Sequence, residues 1–171
     1  GNLGLVATEI SNEISYAIKK ERWYLNMKVK DCMCQDVCSC TPETTIENCA
    51  KIMSEKHVGC VPVCNTNQEI VGLVTDRDLI LRCIACDKDA KQTPVSDVMT
   101  TNICSCTPND EIEDAENKMA KLQIRRIPVI DNKKVIGIIT VGDLTKNNKV
   151  SNQSVCNTLE SICKTDRNNA Q

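Results

Sequence analysis

The chain has almost no aromatic residues: among its 171 residues are no Phe, two Tyr and one Trp. Hydrophobic residues make up 41% of the chain, so a core can form, but it must be aliphatic. Proteins that hold single-stranded nucleic acid stack the bases on aromatic side chains. A chain with so few aromatics and a net charge of −2 is therefore not expected to bind nucleic acid or anionic membranes.

Long apolar segments are also missing. No apolar run approaches the roughly 18 residues that a membrane-spanning helix needs. The first residues lack the apolar stretch and the cleavage site of a secretory signal. We therefore expect a cytoplasmic protein that makes no membrane contact.

Signatures of catalysis are equally scarce. His57 is the only histidine, and the six glycines build no phosphate-binding loop of the G-x-G-x-x-G or G-x-x-x-x-G-K-[ST] type. The nucleophile motif G-x-S-x-G is absent as well. We predict that the protein is not an enzyme, has no catalytic residue and requires no cofactor, and we interpret His57 as structural.

Cysteine, in contrast, is in excess. An odd number of cysteines, thirteen, at irregular spacings in a chain without an export signal argues against a disulfide framework. Cys38 and Cys40 fall where a strand is expected, and same-face neighbours on a strand lie about 6.6 Å apart. Tetrahedral zinc needs sulfurs within about 4 Å of each other. We therefore predict no metal site and reduced thiols that act as small hydrophobic residues.

One segment occurs twice, because Val29–Leu79 recurs as Val95–Leu144. The offset between equivalent residues is 66 up to the turn after Pro62 and 65 from Gly72 onward, so one residue is missing from that turn. Each copy is too small to bury a sufficient core alone. We expect a pseudo-symmetric pair in which each copy covers the apolar face of the other.

Each copy predicts a short strand, a helix, a β-hairpin and a second helix. The Thr-Pro pairs at Thr41 and Thr107 are typical of a helix N-cap followed by Pro at the first helical position. Apolar residues then recur at helical spacing. Two short β-rich runs around an Asn/Asp-rich turn predict the hairpin. The second helix is expected to follow from Asp78 and, shorter, from Asp143.

Two further helices are expected outside the copies. Residues 8–25 place Ile10 and Ile14 at helical spacing, for packing onto the module or onto a second subunit. Val155 and Ile162 predict a last helix. The expected divisions are an N-terminal amphipathic helix (1–26), two repeats (27–90 and 91–150) and a C-terminal helix with a frayed tail (151–171).

The most informative motif is G-h-h-T-x-x-D, where h is hydrophobic, which leads from a strand into a helix at Thr75–Asp78 and again at Thr140–Asp143. Its spacing is that of a capping box with Asp in place of Glu. The same helix start exposes free N–H groups, a hydroxyl for a phosphate and a carboxylate that can accept from ribose hydroxyls. Capping and ligand binding are both open at this point, and they are compatible.

Four motifs occur in the same order in both copies: D-x-M, Thr-Pro before a helix, h-P-V before a turn, and G-h-h-T-x-x-D. This order closely resembles the tandem CBS-domain pair, or Bateman module, over about Met27 to Lys146. TDRDL and RRIPVID resemble the small stand-alone two-CBS proteins of bacteria. The resemblance implies an α+β fold in which two βαββα units pack sheet to sheet about a pseudo-twofold axis, with two clefts between them.

The resemblance also implies a ligand, since such modules bind adenosine derivatives such as AMP, ADP, ATP, NAD or S-adenosylmethionine. Thr75 and Asp78 would line one cleft, Thr140 and Asp143 the other, and apolar strand-edge residues would meet the adenine. The ligand-binding residues expected by motif are Thr75, Asp78, Thr140, Asp143, Arg126, Val37, Ile103 and Arg77.

The two clefts are expected to differ in phosphate affinity. Arg126 stands where members of the family place a phosphate-contacting base, whereas the first copy has Cys60 at the equivalent position. Arg77 is likewise matched by Gly142. A solvated basic edge is the alternative interpretation of Arg126 and its neighbour Arg125.

Two classes of function remain open beside a thiol or metal sensor. The first is a regulatory module that binds an adenosine derivative and acts on an unidentified protein. The second is a dimerising scaffold with vestigial clefts. We expect a homodimer in either case, formed through helical faces that include Ile46 and Met53 in the first copy and Ile112 and Met119 in the second.

Overall fold

The computed structural model of the chain describes residues 2–146 and 152–164, with side chains described except at 2–5 and 20–25. The predicted frayed tail lies outside the described residues. In chain order the elements are α1 (Asn2–Leu25), α2 (Val29–Cys32), α3 (Ile46–Lys56), β1 (Cys60–Cys64), β2 (Ile70–Thr75), α4 (Asp76–Arg82), α5 (Ile112–Leu122), β3 (Arg126–Asp131), β4 (Lys134–Thr140), α6 (Val141–Lys146) and α7 (Asn152–Cys163). Short 3₁₀ turns lie at Ile84–Cys86 and Val95–Asp97.

The N-terminal helix forms where the apolar spacing predicts it. Every described side chain from Val6 to Lys19 is exposed, and Ile10 and Ile14 are 51% and 54% accessible. Over residues 6–19, the apolar face of α1 is therefore not packed on the module. Of the two roles expected for it, packing onto a second subunit stays open.

The main helix of each copy begins later than predicted. The prediction that Thr41 and Thr107 cap these helices is wrong, because α3 and α5 begin at Ile46 and Ile112. The Thr-Pro residues instead form a turn, in which the Thr41 N–H donates to the Thr44 hydroxyl at 3.0 Å. The N–H of Ile46 donates across the fold to the carbonyl oxygen of Thr93, which precedes the opening segment of the second copy, at 3.0 Å. A tertiary contact therefore helps to set the helix start.

Both predicted hairpins are confirmed. β1 pairs with β2 and β3 with β4, each in antiparallel register. Val61 lies opposite Val74 in the first hairpin and Ile127 opposite Ile139 in the second, and all four side chains are fully buried. The second helices, α4 and α6, follow directly. The short strand expected before α3 and α5 is reduced to a single parallel bridge in each copy.

Each hairpin is extended by the opening segment of the other copy. Leu73 of β2 exchanges backbone hydrogen bonds of 2.9 and 2.8 Å with Thr100, and Ile138 of β4 does the same with Cys34 at 2.9 Å. The two cores show the same exchange. Val29 belongs to the core of the second copy, and Val95 to that of the first. The copies are therefore interlocked rather than merely in contact.

The exchange explains the D-x-M and glycine motifs. Met99 lies over Gly72 and Met33 lies over Gly137, each across the boundary between the copies. A Cβ on Gly72 would come within 2.3 Å of the Met99 sulfur, and one on Gly137 within 2.6 Å of the Met33 sulfur. Only glycine leaves room for the methionine side chain at these two positions.

The cysteines are free thiols, and six of the thirteen are buried. Four of these, Cys40, Cys49, Cys83 and Cys106, lie in the two aliphatic cores, as suits small hydrophobic side chains. Within residues 2–146 and 152–164, no group of three or more His, Cys, Asp or Glu side chains is placed to hold a metal ion. Over the same residues, no helix has the length and apolar character needed to span a bilayer.

Candidate functional site

The two G-h-h-T-x-x-D motifs form matching capping boxes. In the first copy the carboxylate oxygen Oδ2 of Asp78 accepts from the N–H and the hydroxyl of Thr75, both at 2.9 Å. In the second copy Asp143 accepts from Thr140 with the same two distances. The capping interpretation is confirmed. It leaves the second carboxylate oxygen, Oδ1, to make other contacts.

A cleft of about 890 Å³ lies between the two copies beside the first capping box. Five of the eight predicted ligand-binding residues line it: Thr75, Arg77 and Asp78 from the first copy, and Ile103 and Arg126 from the second. The exchange of opening segments accounts for part of this mixture, since it carries residues 95–100 of the second copy onto the first hairpin and its core, whereas Arg126 comes from β3.

The remaining three predicted residues lie outside this cleft. Thr140 and Asp143 stand at the start of α6, on the second hairpin. Val37 is half-buried, and its N–H donates to the carbonyl of Gln35 at 3.0 Å. The sequence does not show which of the two clefts Arg126 belongs to. In the structure Arg126 lines the same cleft as Asp78, and Asp143 does not.

Arg126 approaches the first copy over Gly59. A Cβ at this glycine would lie 2.9 Å from Nη2 of Arg126 and 2.9 Å from Oδ2 of Asp76. The guanidinium and the carboxylate therefore flank the same open backbone face without forming an ion pair. Glycine at position 59 leaves room for the ends of both side chains.

The cleft lining is partly apolar, and its charged side chains are mainly positive. Arg77, Arg125 and Arg126 line it, and none of the three forms an ion pair within the described part of the chain. Asp76 and Asp78 supply the negative charge. Unpaired guanidinium groups beside two carboxylates can bind a ligand that carries both phosphates and hydroxyl groups.

Cys60 lies at the base of this cleft and is 4% exposed. Burial raises the pKa of the Cys60 thiol to about 12, although the nearby charge of Arg126 acts in the opposite direction. The thiol is therefore neutral at physiological pH and is a poor nucleophile. It does not add a reactive group to the site.

Several lining residues were not predicted, including Thr100, Asn102, Cys104 and Gln123. Thr100 directly follows the D-x-M motif of the second copy, and its position in the cleft depends on the segment exchange. Gln123 is the left-handed C-cap of α5, with φ 55°, and its equivalent His57 caps α3 with φ 53°. The His57 N–H donates to the helix end, so its interpretation as a structural residue agrees with the fold.

Comparison with known proteins agrees with this architecture. The CBS domain family model matches residues 29–84 and 95–149. The chain is 42% identical over 134 residues to the CBS domain-containing protein YhcV of Bacillus subtilis (strain 168), covering 78% of this chain and 94% of that protein.

Two solved structures have a similar fold. The Hypoxic Response Protein I structure with two coordinated zinc ions has a TM-score of 0.66 at 26% identity, covering 71% of this chain and 98% of that one. A CBS domain pair in complex with 5′-methylthioadenosine and S-adenosyl-L-methionine has a TM-score of 0.63 at 24% identity, covering 70% and 94%. Two family matches in tandem, on two interlocked copies with two capping boxes, show that the chain belongs to the CBS-domain family and is a tandem CBS pair.

Proposed function

We propose that this regulatory CBS pair binds an adenosine derivative in the cleft between its copies. The observation that carries the proposal is the meeting of Asp78 and Thr75, at a helix start of the first copy, with Arg126 of the second. The first copy supplies the ribose acceptor and one phosphate partner, Arg77, and the second copy adds a further phosphate partner and the apolar Ile103. Ligand binding would therefore act on the interface between the copies, which suits a sensor.

Each part of such a ligand has a counterpart in the cleft. Oδ1 of Asp78 is available to accept from a ribose hydroxyl, because Oδ2 is already occupied by Thr75. Arg77 and Arg126 supply charge for phosphate oxygens. Ile103 is half-buried and offers an apolar surface to the adenine ring.

The charge of the cleft favours an anionic nucleotide over S-adenosylmethionine. Three arginines and two aspartates line it, so the side chains leave one net positive charge. A cationic sulfonium would be repelled by this excess, whereas each phosphate would be attracted. We therefore place ATP, ADP and AMP, and also NAD with its two phosphates, ahead of S-adenosylmethionine as ligands.

Calorimetry with these five compounds tests the proposal. We expect ATP, ADP and AMP to bind, and a ligand at about 100 times its Kd to stabilise the fold by about 2.7 kcal/mol. S-adenosylmethionine should bind more weakly than ATP. If none of the five binds at millimolar concentration, the scaffold function with vestigial clefts replaces this proposal.

A zinc or thiol sensor has less support in this chain. Zinc is named in the Hypoxic Response Protein I structure, but the described residues of this chain hold no cluster with enough metal-binding side chains. The buried thiol at Cys60 is held neutral. We keep the adenosine derivative as the proposed signal, and a protein partner that reads the signal is still to be identified.

We propose that the protein forms a homodimer, but the prediction that the α3 and α5 faces form its interface is wrong. Ile46 and Met53 are 2% and 7% exposed, and Ile112 and Met119 are fully buried, so these residues form cores instead. They are buried because each helix packs its apolar stripe against its own hairpin and the exchanged segment. No apolar surface of these four residues is left for a partner.

A different apolar surface is exposed in the first copy. Ile80 and Leu81 of α4 and Ile84 of the following 3₁₀ turn are 54%, 47% and 63% exposed. Two equivalent positions in the second copy are Thr145 and Lys146, so this surface, here called the α4 patch, is not repeated. Its occupant in our proposal is a second copy of the chain, because the net charge of −2 gives little repulsion between copies.

Light scattering tests the dimer. We expect a mass about twice the 18.9 kDa of the chain at tens of micromolar, since burial of apolar surface drives association. Ile80→Glu with Ile84→Glu should shift the protein to a monomer. Ile10→Glu with Ile14→Glu, on the exposed face of α1, is the matched control and should remain dimeric. Loss of the dimer in the α1 variant alone would move the interface to α1, and a monomeric wild type would contradict the dimer.

A further inference from the structure

Arg82, the last residue of α4, connects two walls of the cleft that belong to different copies. Its Nη1 donates to the carbonyl of Val98 at 2.8 Å and to the hydroxyl of Thr100 at 3.3 Å. Its Nη2 lies 3.6 Å from Oδ1 of Asp78. One guanidinium thus joins the capping carboxylate of the first copy to the exchanged segment of the second.

Arg82 does not itself line the cleft, whereas Asp78 and Thr100 do. Its effect on a ligand must therefore pass through these two residues. The Asp78 side chain is 15% exposed and that of Arg82 is 50% exposed, so the ion pair has one end in the protein and one end towards solvent. Such a pair contributes little to stability, and its main effect here is on geometry.

The hydrogen bonds determine what each wall offers to a ligand. Because the Thr100 hydroxyl accepts from Arg82, its own proton is directed to another acceptor. Because Oδ2 of Asp78 accepts from Thr75, Oδ1 is the oxygen left for a ligand, and a separation of 3.6 Å from Arg82 does not saturate it. The cleft wall therefore offers a ligand one acceptor, Oδ1 of Asp78, and one donor, the hydroxyl of Thr100, and both lie close to the guanidinium of Arg82.

Resting on the proposed function, we infer that Arg82 is a positioning residue that makes this cleft selective for the vicinal hydroxyls of a ribose. Adjacent hydroxyl groups can donate to Asp78 Oδ1 and accept from Thr100, so the pair matches a diol rather than a phosphate. The second copy lacks both partners in its sequence. Position 147 is Asn where the first copy has Arg82, and position 34 is Cys where the second has Thr100.

The experiment compares ATP with 2′,3′-dideoxy-ATP by calorimetry in four proteins: wild type, Arg82→Met, Arg82→Lys and Lys51→Met. Methionine keeps much of the apolar stem of arginine but removes every donor. Lys51 forms an ion pair with Glu47 at the same i, i+4 spacing on α3, at 3.2 Å, and is the control for loss of a surface pair. We expect Arg82→Met to weaken ATP binding by about three- to tenfold, as for loss of one hydrogen bond.

Binding of the dideoxy compound should stay the same in Arg82→Met, since it has no diol to be positioned. Arg82→Lys should recover part of the preference for ATP, and Lys51→Met should match wild type. Equal weakening of both compounds by Arg82→Met would show a merely structural role and overturn this inference alone. Failure of the wild type to bind any of the five adenosine compounds would instead overturn the proposed function, and the inference would fall with it.

Discussion

Asp78→Asn is expected to weaken ATP binding by about one to two decades. Asp143→Asn is expected to leave ATP binding in the described cleft unchanged. The reason is that Asp78 lines the cleft together with Arg126, and Asp143 does not. Loss of a hydrogen bond to a charged acceptor costs about 1.5 to 3 kcal/mol. The N-caps are Thr75 and Thr140, and Asn at the third helical position keeps a side-chain oxygen that can accept from their N–H groups, so the helix start should survive both changes. Calorimetry with wild type and the two variants gives the comparison.

Two further measurements serve as controls for this comparison. The thermal midpoints of both Asn variants should stay close to wild type, which separates lost binding from lost capping. Arg126→Ala lies outside the helix start and should weaken ATP more than adenosine, because it removes charge from the phosphate end of the cleft. Equal losses for Asp78→Asn and Asp143→Asn would show that the two motifs contribute alike, and no loss in either would remove both from the ligand site.

Gly137→Ala is expected to destabilise the protein by about 1 to 3 kcal/mol, the usual cost of overpacking. The added methyl group would lie 2.6 Å from the Met33 sulfur and 3.0 Å from the backbone carbonyl oxygen of Cys34. The sulfur can move, but the carbonyl is tied to Ile138 by a 2.9 Å hydrogen bond. Gly72→Ala should cost less, because its nearest neighbours are all atoms of the flexible Met99 side chain. Urea unfolding provides the free energies.

The control variants test whether the contact between copies is the cause. Gly142→Ala places a methyl group 3.5 Å from the nearest side chain and should not destabilise the fold. Met33→Ala combined with Gly137→Ala should be less destabilised than the sum of the two single changes, because each removes part of the same clash. Strict additivity would show that the methionine does not meet the glycine across the boundary between the copies.

The sequence alone determined the features that depend on local patterns. Duplication of four ordered motifs predicted the CBS pair, short β-rich runs around an Asn/Asp-rich turn predicted the hairpins, and the spacing from Thr75 to Asp78 predicted the capping box. The hairpins and capping boxes depend on residues within one turn or one hairpin of each other, and the CBS pair was recognised from short local motifs that recur in the same order. Such patterns can be read from a chain before it folds, because their partners are already close in sequence.

Tertiary structure alone decided how the copies combine. The exchange of opening segments brings Thr100 into the cleft that Asp78 lines, and the packing of the two copies brings Arg126 of β3 there. No local pattern reports contacts between residues so far apart in the chain. The exchange also helps to bury Ile46 and Met119 in the two cores. The spacing of an apolar stripe does not show which surface will cover it, so this burial could not be read from the sequence. The cleft therefore forms only when the two copies pack together. The sequence by itself shows which residue types are available to line it, but not which of them meet.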